Sequence, residues 1–180
     1  MSPTDAERAW TRVGPDRTAY AGFVRVVQRT LRLPDGREAV WDMLDTPASV
    51  AVLPLTPDGD VVCVRQFRPG PGRVVLSLPG GLVDDGEDVA AAAERELREE
   101  TGYAAGSVEV VGSTMPNNGT HPRYAAVARD CVLTHDQDLD ELEDCEPVVL
   151  SLTELRTELR SGRMAATEQT YLALDHLGLL

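Results

Sequence analysis

Residues 80–103, GGLVDDGEDVAAAAERELREETGY, constrain this chain more than any other stretch. Asp88 can cap a helix and Gly102 can stop one, so a helix is predicted from about Val89 to Thr101. At about 3.6 residues per turn, Glu96, Glu99 and Glu100 fall within roughly 100° of one another. Ala90, Ala93 and Leu97 share the neighbouring face. Three adjacent carboxylates repel. A hard divalent cation such as Mg²⁺ takes oxygen ligands and would replace the repulsion by coordination. An acidic helix with a solvated face would explain the glutamates, but not the flanking glycines or Arg95 amid the acids.

The remaining chain sets the frame. At 180 residues it suits one domain with an elaboration. Its net charge of −13 disfavours nonspecific nucleic-acid binding. The start, MSPTDAERAW, lacks a basic region followed by an apolar run, and no apolar stretch approaches the roughly 18 residues of a membrane span. The expectation is a cytoplasmic protein with no membrane partner. Cys63, Cys131 and Cys145 are scattered, which fits buried thiols in a reducing compartment better than a zinc site.

Residues 1–18 are polar and expected to be ordered only in part. Phe23–Leu33 and Glu38–Leu44, joined by Pro34-Asp35-Gly36, are predicted to be strands. So few strands bury little, and they must lean on the main domain or on a second subunit. Strands are also predicted at Ser49–Leu55, where Pro54 marks an end or an edge, and at Val61–Phe67, Val74–Leu78, Ser107–Met115, Tyr124–Ala128 and Pro147–Leu152. Arg65 and Arg68 reach a strand end before the Pro69–Gly72 loop, a position suited either to rim decoration or to phosphate contacts. Ser151 with Glu154 forms a capping-box pattern opening a helix to about Ser161. The last helix is predicted over Ala166–Leu177, with Tyr171, Leu172, Leu174 and Leu177 as its core stripe. This order predicts an α+β fold.

At the central helix, cations on Glu96 and Glu100 would lower the pKa of a bound water. Glu99 is placed to bind an ion or steer that water. Arg95 reads as an internal tie to Glu87 or Glu99 that keeps the charges preorganised. The acidic run Thr134–Asp144 is by default solvated surface.

The pattern G-x5-E-x7-R-E-L-x-E-E-x-G-Y, from Gly81 to Tyr103, is a complete match to the box of the Nudix hydrolases, which cut nucleoside diphosphates linked to another moiety. Outside the box, TAYAGFVRVV, the PDG turn, VRQFRP, DLDELED and SGRMAATEQTYLALDHL resemble the ADP-ribose pyrophosphatase branch. The resemblance implies a Nudix fold, a mixed β-sheet sandwiched between helices, over 47–180. It also implies an N-terminal antiparallel β-strand extension over 1–46 exchanged in a homodimer. By the same resemblance Phe23 stacks on a base and Arg68 holds phosphates. Gly80 through its carbonyl, with Glu96, Glu99 and Glu100, binds Mg²⁺ (or Mn²⁺), and the base is Glu141 first, with Glu143 second. The implied reaction is hydrolysis of a nucleoside diphosphate sugar, ADP-ribose first, giving AMP and ribose 5-phosphate. GDP-mannose or another nucleotide sugar, and a non-catalytic nucleotide-sensing module, are the alternatives.

Three positions depart from the branch. Ser77 stands where a glutamate is usual, Val40 or Trp41 where an arginine contacts ADP-ribose, and MPNNGTH where a serine-proline-glycine segment follows the box. Trp41 is then either core or an altered base-stacking surface.

Overall fold

The computed structural model describes residues 4–180, and the first residues of the polar start, 1–3, lie outside that range. The chain forms two compact units. The first runs to Thr46 and takes in Met115–His121. It contains α1 (Asp5–Arg8), β1 (Thr11–Arg12), β2 (Arg17–Ala21), β3 (Arg25–Arg32) and β4 (Glu38–Leu44) in one four-stranded sheet. β4 pairs with β3 from Val26↔Leu44 to Arg32↔Glu38, while β1 and β2 pair with the two ends of β3 on its other edge. The turn between β3 and β4 is closed by Gly36 N–H on the Leu33 carbonyl at 3.0 Å. Gly36 takes φ +88°, which a side chain would resist.

From Thr4 onward the polar start carries short elements. Thr4 and Glu7 form a capping box around α1, and ladder pairing to β3 fixes β1 and β2. Val27 is the only buried residue among the described residues of this unit. The strands are held by their ladders and by ion pairs such as Arg29–Asp16 at 2.8 Å.

The second unit holds β5 (Ser49–Pro54), β6 (Val61–Arg68), β7 (Arg73–Ser77), α2 (Val89–Thr101), β8 (Tyr103–Ala104), β9 (Ser107–Thr114), β10 (Arg123–Arg129), β11 (Val132–Leu133), β12 (Cys145–Leu150), α3 (Leu152–Arg160) and α4 (Thr167–His176). One mixed sheet has the order β5-β10-β9, with β5 parallel to β10, and an antiparallel sheet has the order β12-β6-β7. Pro54, which has no N–H to give, is the last residue of β5.

Alternation along β5 and β10 divides the core. Val50, Val52, Ala126 and Ala128 pack with Ala92, Ala93 and Leu97 of α2. Ala51, Leu53 and Val127 pack with Leu155 and Leu159 of α3 and with Ala173 and Leu174 of α4. A sheet covered on both faces explains why these strands read as unbroken apolar runs rather than as alternating ones. The fold is α+β, with sheets between helices, as expected.

The stripe of α4 is corrected at Tyr171, which is 42 % exposed; Leu174 is buried and Leu177 packs on the core as expected, and Gln169, Thr170 and Ala173 are buried besides. Ala166, at φ +51°, precedes the helix and its carbonyl accepts from the Thr170 hydroxyl at 2.9 Å. That bond lets a threonine take an inward position that hydrophobicity alone would give to the tyrosine.

Candidate active site

The site is built on α2 and the turn after β7. Asp88 accepts at Oδ1 from the N–H groups of Ala90 (3.0 Å) and Ala91 (3.1 Å), and Gly102, at φ +75°, returns its N–H to the Arg98 carbonyl. These ends set the helical phase, which puts Ala93 and Leu97 into the core and brings Glu96 and Glu100 in beside them. Opposite, the Pro79 and Gly81 carbonyls accept from Val52 and Val50 at 2.9 Å each. The intervening Gly80 therefore turns away from β5, and its N–H donates to Glu100 Oε2 at 2.9 Å. A side chain on Gly80 would strike backbone, and one on Gly81 would displace the Glu96 carboxylate. A Cβ on Gly80 would lie 2.2 Å from the Val50 carbonyl oxygen, and one on Gly81 would lie 2.4 Å from Glu96 Oε1.

Arg95 is the tie that its position promised, with more partners than expected. Nε and Nη2 grip the two Glu87 oxygens at 3.0 and 3.1 Å, Nη1 bridges Glu96 Oε1 (2.9 Å) and Glu99 Oε2 (3.1 Å), and Nη2 also reaches the Leu82 carbonyl (3.0 Å). These contacts use the full donor capacity of a guanidinium. They hold Glu87 below the usual carboxylate range. Burial pushes Glu96 the other way, against the pull of Arg95. Glu100, 2 % exposed, is pushed up to about 7, first by burial and then by the charges of Glu96 and Glu143, against the Gly80 N–H. Its second oxygen accepts from the Cys145 thiol at 3.6 Å.

The acidic loop closes the site. Glu143 faces α2 and, with Arg95, Glu96, Glu99, Asp138, Leu139 and Asp140, lines a polar cleft of about 170 Å³. A tight turn orders it: Glu143 N–H donates to the Asp140 carbonyl at 2.9 Å, and Asp140 N–H donates to Glu143 Oε2 at 3.2 Å. Glu141 is exposed and outside this cleft. Of the two loop glutamates singled out from sequence, the structure brings Glu143 to the helix carboxylates.

Arg68 ends β6 half-buried, on the strand face that carries Gln66 opposite Cys145, while Arg65 points to the other face and is exposed. Ser77 is buried in β7 across from Val64. Phe23 and Trp41 belong to the first unit. Phe23 is fully exposed, and Trp41 is 48 % exposed and edge-on to Trp10 with ring centroids 5.8 Å apart. The three cysteines are free and buried, as expected.

Among the described residues, no group of His, Cys, Asp and Glu side chains converges closely enough to hold an ion. The reason lies in the bonds above: Glu96 and Glu99 are drawn to Arg95, and Glu100 to Gly80 and Cys145. The donor set still suits a hard divalent cation. It is all oxygen, two members are buried carboxylates lifted by burial, and Gly80 in the turn opposite has no room for a side chain.

The NUDIX domain family matches residues 45–170. The chain belongs to the Nudix family. As a Nudix protein it is of the pyrophosphohydrolase type. It is 30 % identical over 152 residues to an ADP-ribose pyrophosphatase of Bacillus subtilis, covering 83 % of this chain and 82 % of that one. It is 35 % identical over 154 residues to a Nudix hydrolase of Schizosaccharomyces pombe, covering 81 % of this chain and 71 % of that one. The crystal structure of an ADP compounds hydrolase superposes with a TM-score of 0.77 over 95 % of this chain and 97 % of that one; at 22 % identity that likeness is one of fold. Among the described residues no helix is long and apolar enough to cross a membrane.

Cys145 and Gln137 escaped the sequence reading. A lone cysteine and a glutamine in an acidic run carry no periodic or motif signal, and only the fold brings them to α2.

Proposed function

We propose that this Nudix enzyme hydrolyses the pyrophosphate bond of a nucleoside diphosphate linked to a sugar, with ADP-ribose as the first candidate and AMP and ribose 5-phosphate as its products. The observation that carries the proposal is the polar cleft in which Glu143 faces Glu96 and Glu99. The names of the relatives support the substrate class.

Mg²⁺, with Mn²⁺ as substitute, would be held by Glu96, Glu99, Glu100 and the Gly80 carbonyl. Bound there it would neutralise the diphosphate and make a coordinated water more acidic. The chain supplies the rest. Arg95 and the Gly80 N–H hold the carboxylates in place before substrate arrives, and Arg68 at the end of β6 takes phosphate charge. Glu143 accepts the proton of the attacking water as the new P–O bond forms and the bridging P–O bond breaks, leaving two phosphate monoesters. Glu99 is the base in reserve.

A second reading, a nucleotide sugar with another base such as GDP-mannose, draws on Trp41. It leaves an aromatic surface half-exposed where the branch has an arginine. Phe23, Tyr20 and Val40 are also exposed in the first unit, which supports assembly as a homodimer through residues 1–46. Sedimentation as a monomer at micromolar concentration would exclude that assembly.

The decisive experiment is a panel of nucleoside diphosphate sugars with Mg²⁺ or Mn²⁺ and identification of both products. ADP-ribose turned over best, to AMP and ribose 5-phosphate, is the expected result. No phosphate-ester product from any member would make the protein a nucleotide-sensing module instead.

A further inference from the structure

We propose that Gln137 is a positioning residue, clamping both ends of the acidic loop to the glutamate helix through one amide nitrogen. The inference rests on the hydrolase reading above, because it concerns how Glu143 is presented.

A helix leaves its last carbonyls without intrahelical partners. In α2 the Glu99 and Glu100 carbonyls, with that of the capping Gly102, are taken up by the segment that leads into the acidic loop. The Glu99 carbonyl accepts from Asp138 N–H at 2.9 Å, and the Gly102 carbonyl accepts from Thr134 and His135 N–H at 3.1 Å each. The Glu100 carbonyl, between them, goes to a side chain: Gln137 Nε2 donates to it at 2.6 Å. The same nitrogen donates to the Cys145 carbonyl at 2.8 Å. A primary amide nitrogen has two hydrogens, and here one goes to the helix and the other to the far end of the loop. Residues 138–144 are thereby tied off at a single point, with Glu143 just before the second anchor.

Both acceptors sit on buried residues, Glu100 at 2 % exposure and Cys145 at 5 %, so water is poorly placed to replace the amide. The second anchor is also linked to the carboxylates, since the Cys145 thiol donates to Glu100 Oε1. Releasing the start of β12 would therefore loosen the loop and one partner of Glu100 together. Among amide and carboxylate side chains, glutamine suits the position. Asparagine is a methylene short, and glutamate has no hydrogen to donate and would set a third oxygen against two carbonyls.

The test compares wild type with Gln137→Ala, Gln137→Glu, Gln137→Asn, Glu143→Gln and the Gln137→Glu/Glu143→Gln double variant. Amide exchange, which needs no turnover, is expected to quicken about tenfold or more over residues 139–144 in the Ala and Glu variants while α2 keeps its protection. On whichever substrate the panel identifies, kcat is expected to fall about tenfold with KM within about twofold, and Gln137→Asn to fall between. The double variant should be no slower than Glu143→Gln alone. Unchanged exchange in the loop would overturn the clamp. Multiplying losses in the double variant would overturn its action through Glu143. Lack of turnover by wild type on every substrate would instead count against the proposed function, with the exchange result still deciding the clamp.

Discussion

The Gly80 N–H donates to Glu100 Oε2 across 2.9 Å, joining the turn after β7 to the last turn of the glutamate helix. This one bond orients a buried carboxylate with the backbone of the residue proposed to share its metal. Gly80→Ala should lose it, because φ +155° and the approach of the Val50 carbonyl leave a Cβ no place. We expect a destabilisation of about 2–4 kcal/mol by urea unfolding, together with loss of activity. A variant with wild-type stability and turnover would refute this account of the turn.

Glu96→Gln and Glu100→Gln keep shape and remove charge. Each should retain the fold by circular dichroism and lower kcat by about 10²-fold or more. Near-wild-type rates at saturating Mg²⁺ in either variant would remove that residue from the proposed ligand set.

The loop glutamates should separate. Glu143→Gln is predicted to reduce kcat by about 10²-fold with KM nearly unchanged, and Glu141→Gln to stay within about threefold of wild type. Full activity in Glu143→Gln would pass the role of base to Glu99, which lines the same cleft.

How far the sequence reaches depends on locality. Asp88 and Gly102 punctuate α2 within their own neighbourhood, so the predicted helix has the boundaries observed, Val89–Thr101. Arg95 and its glutamates lie within one box, so the tie is legible as well. Glu143 is harder to tell from Glu141, because the choice depends on the Asp140–Glu143 turn and on where β12 begins beside β6. Thr170 is passed over for Tyr171 because its inward position depends on a hydroxyl bond to Ala166 that composition does not show. Cys145 meets Glu100 only once a loop and a sheet are closed.

Stability without metal should fall as pH rises. Glu100 binds its proton more tightly folded (about 7) than at its ordinary value of 4.5, so between those values the folded state holds more proton than the unfolded. The favourable contribution is complete below about pH 4.5 and is lost progressively up to about pH 7, amounting to some 3 kcal/mol for a shift of this size. Glu96 adds in the same direction. Glu87 and Asp16, held below their ordinary values, act at lower pH and leave this window clear. Thermal melts in chelator should show Tm falling from pH 5 to 7.5, with most of the slope absent in Glu100→Gln. A flat wild-type profile would contradict the burial effect.

Chelation itself should leave secondary structure unchanged, since Arg95 already pairs with Glu96 and Glu99. Arg95→Lys, which replaces a five-donor fork by a point charge, should lower Tm by several degrees and make the remaining stability depend on added Mg²⁺. Equal melts of this variant with and without the ion would count against the tie.

The bridge from Arg95 to Glu96 and Glu99 has a consequence for the life of the protein in a cell. An arginine that balances the acids from the moment of synthesis lets the chain mature without waiting for an ion. On the proposed dependence on a divalent cation, the amount of enzyme and its working state would then answer to different signals, the first to gene expression and turnover, the second to the free cation level. A shortage of cation would leave a standing pool of finished, idle molecules, ready to resume as soon as supply returned.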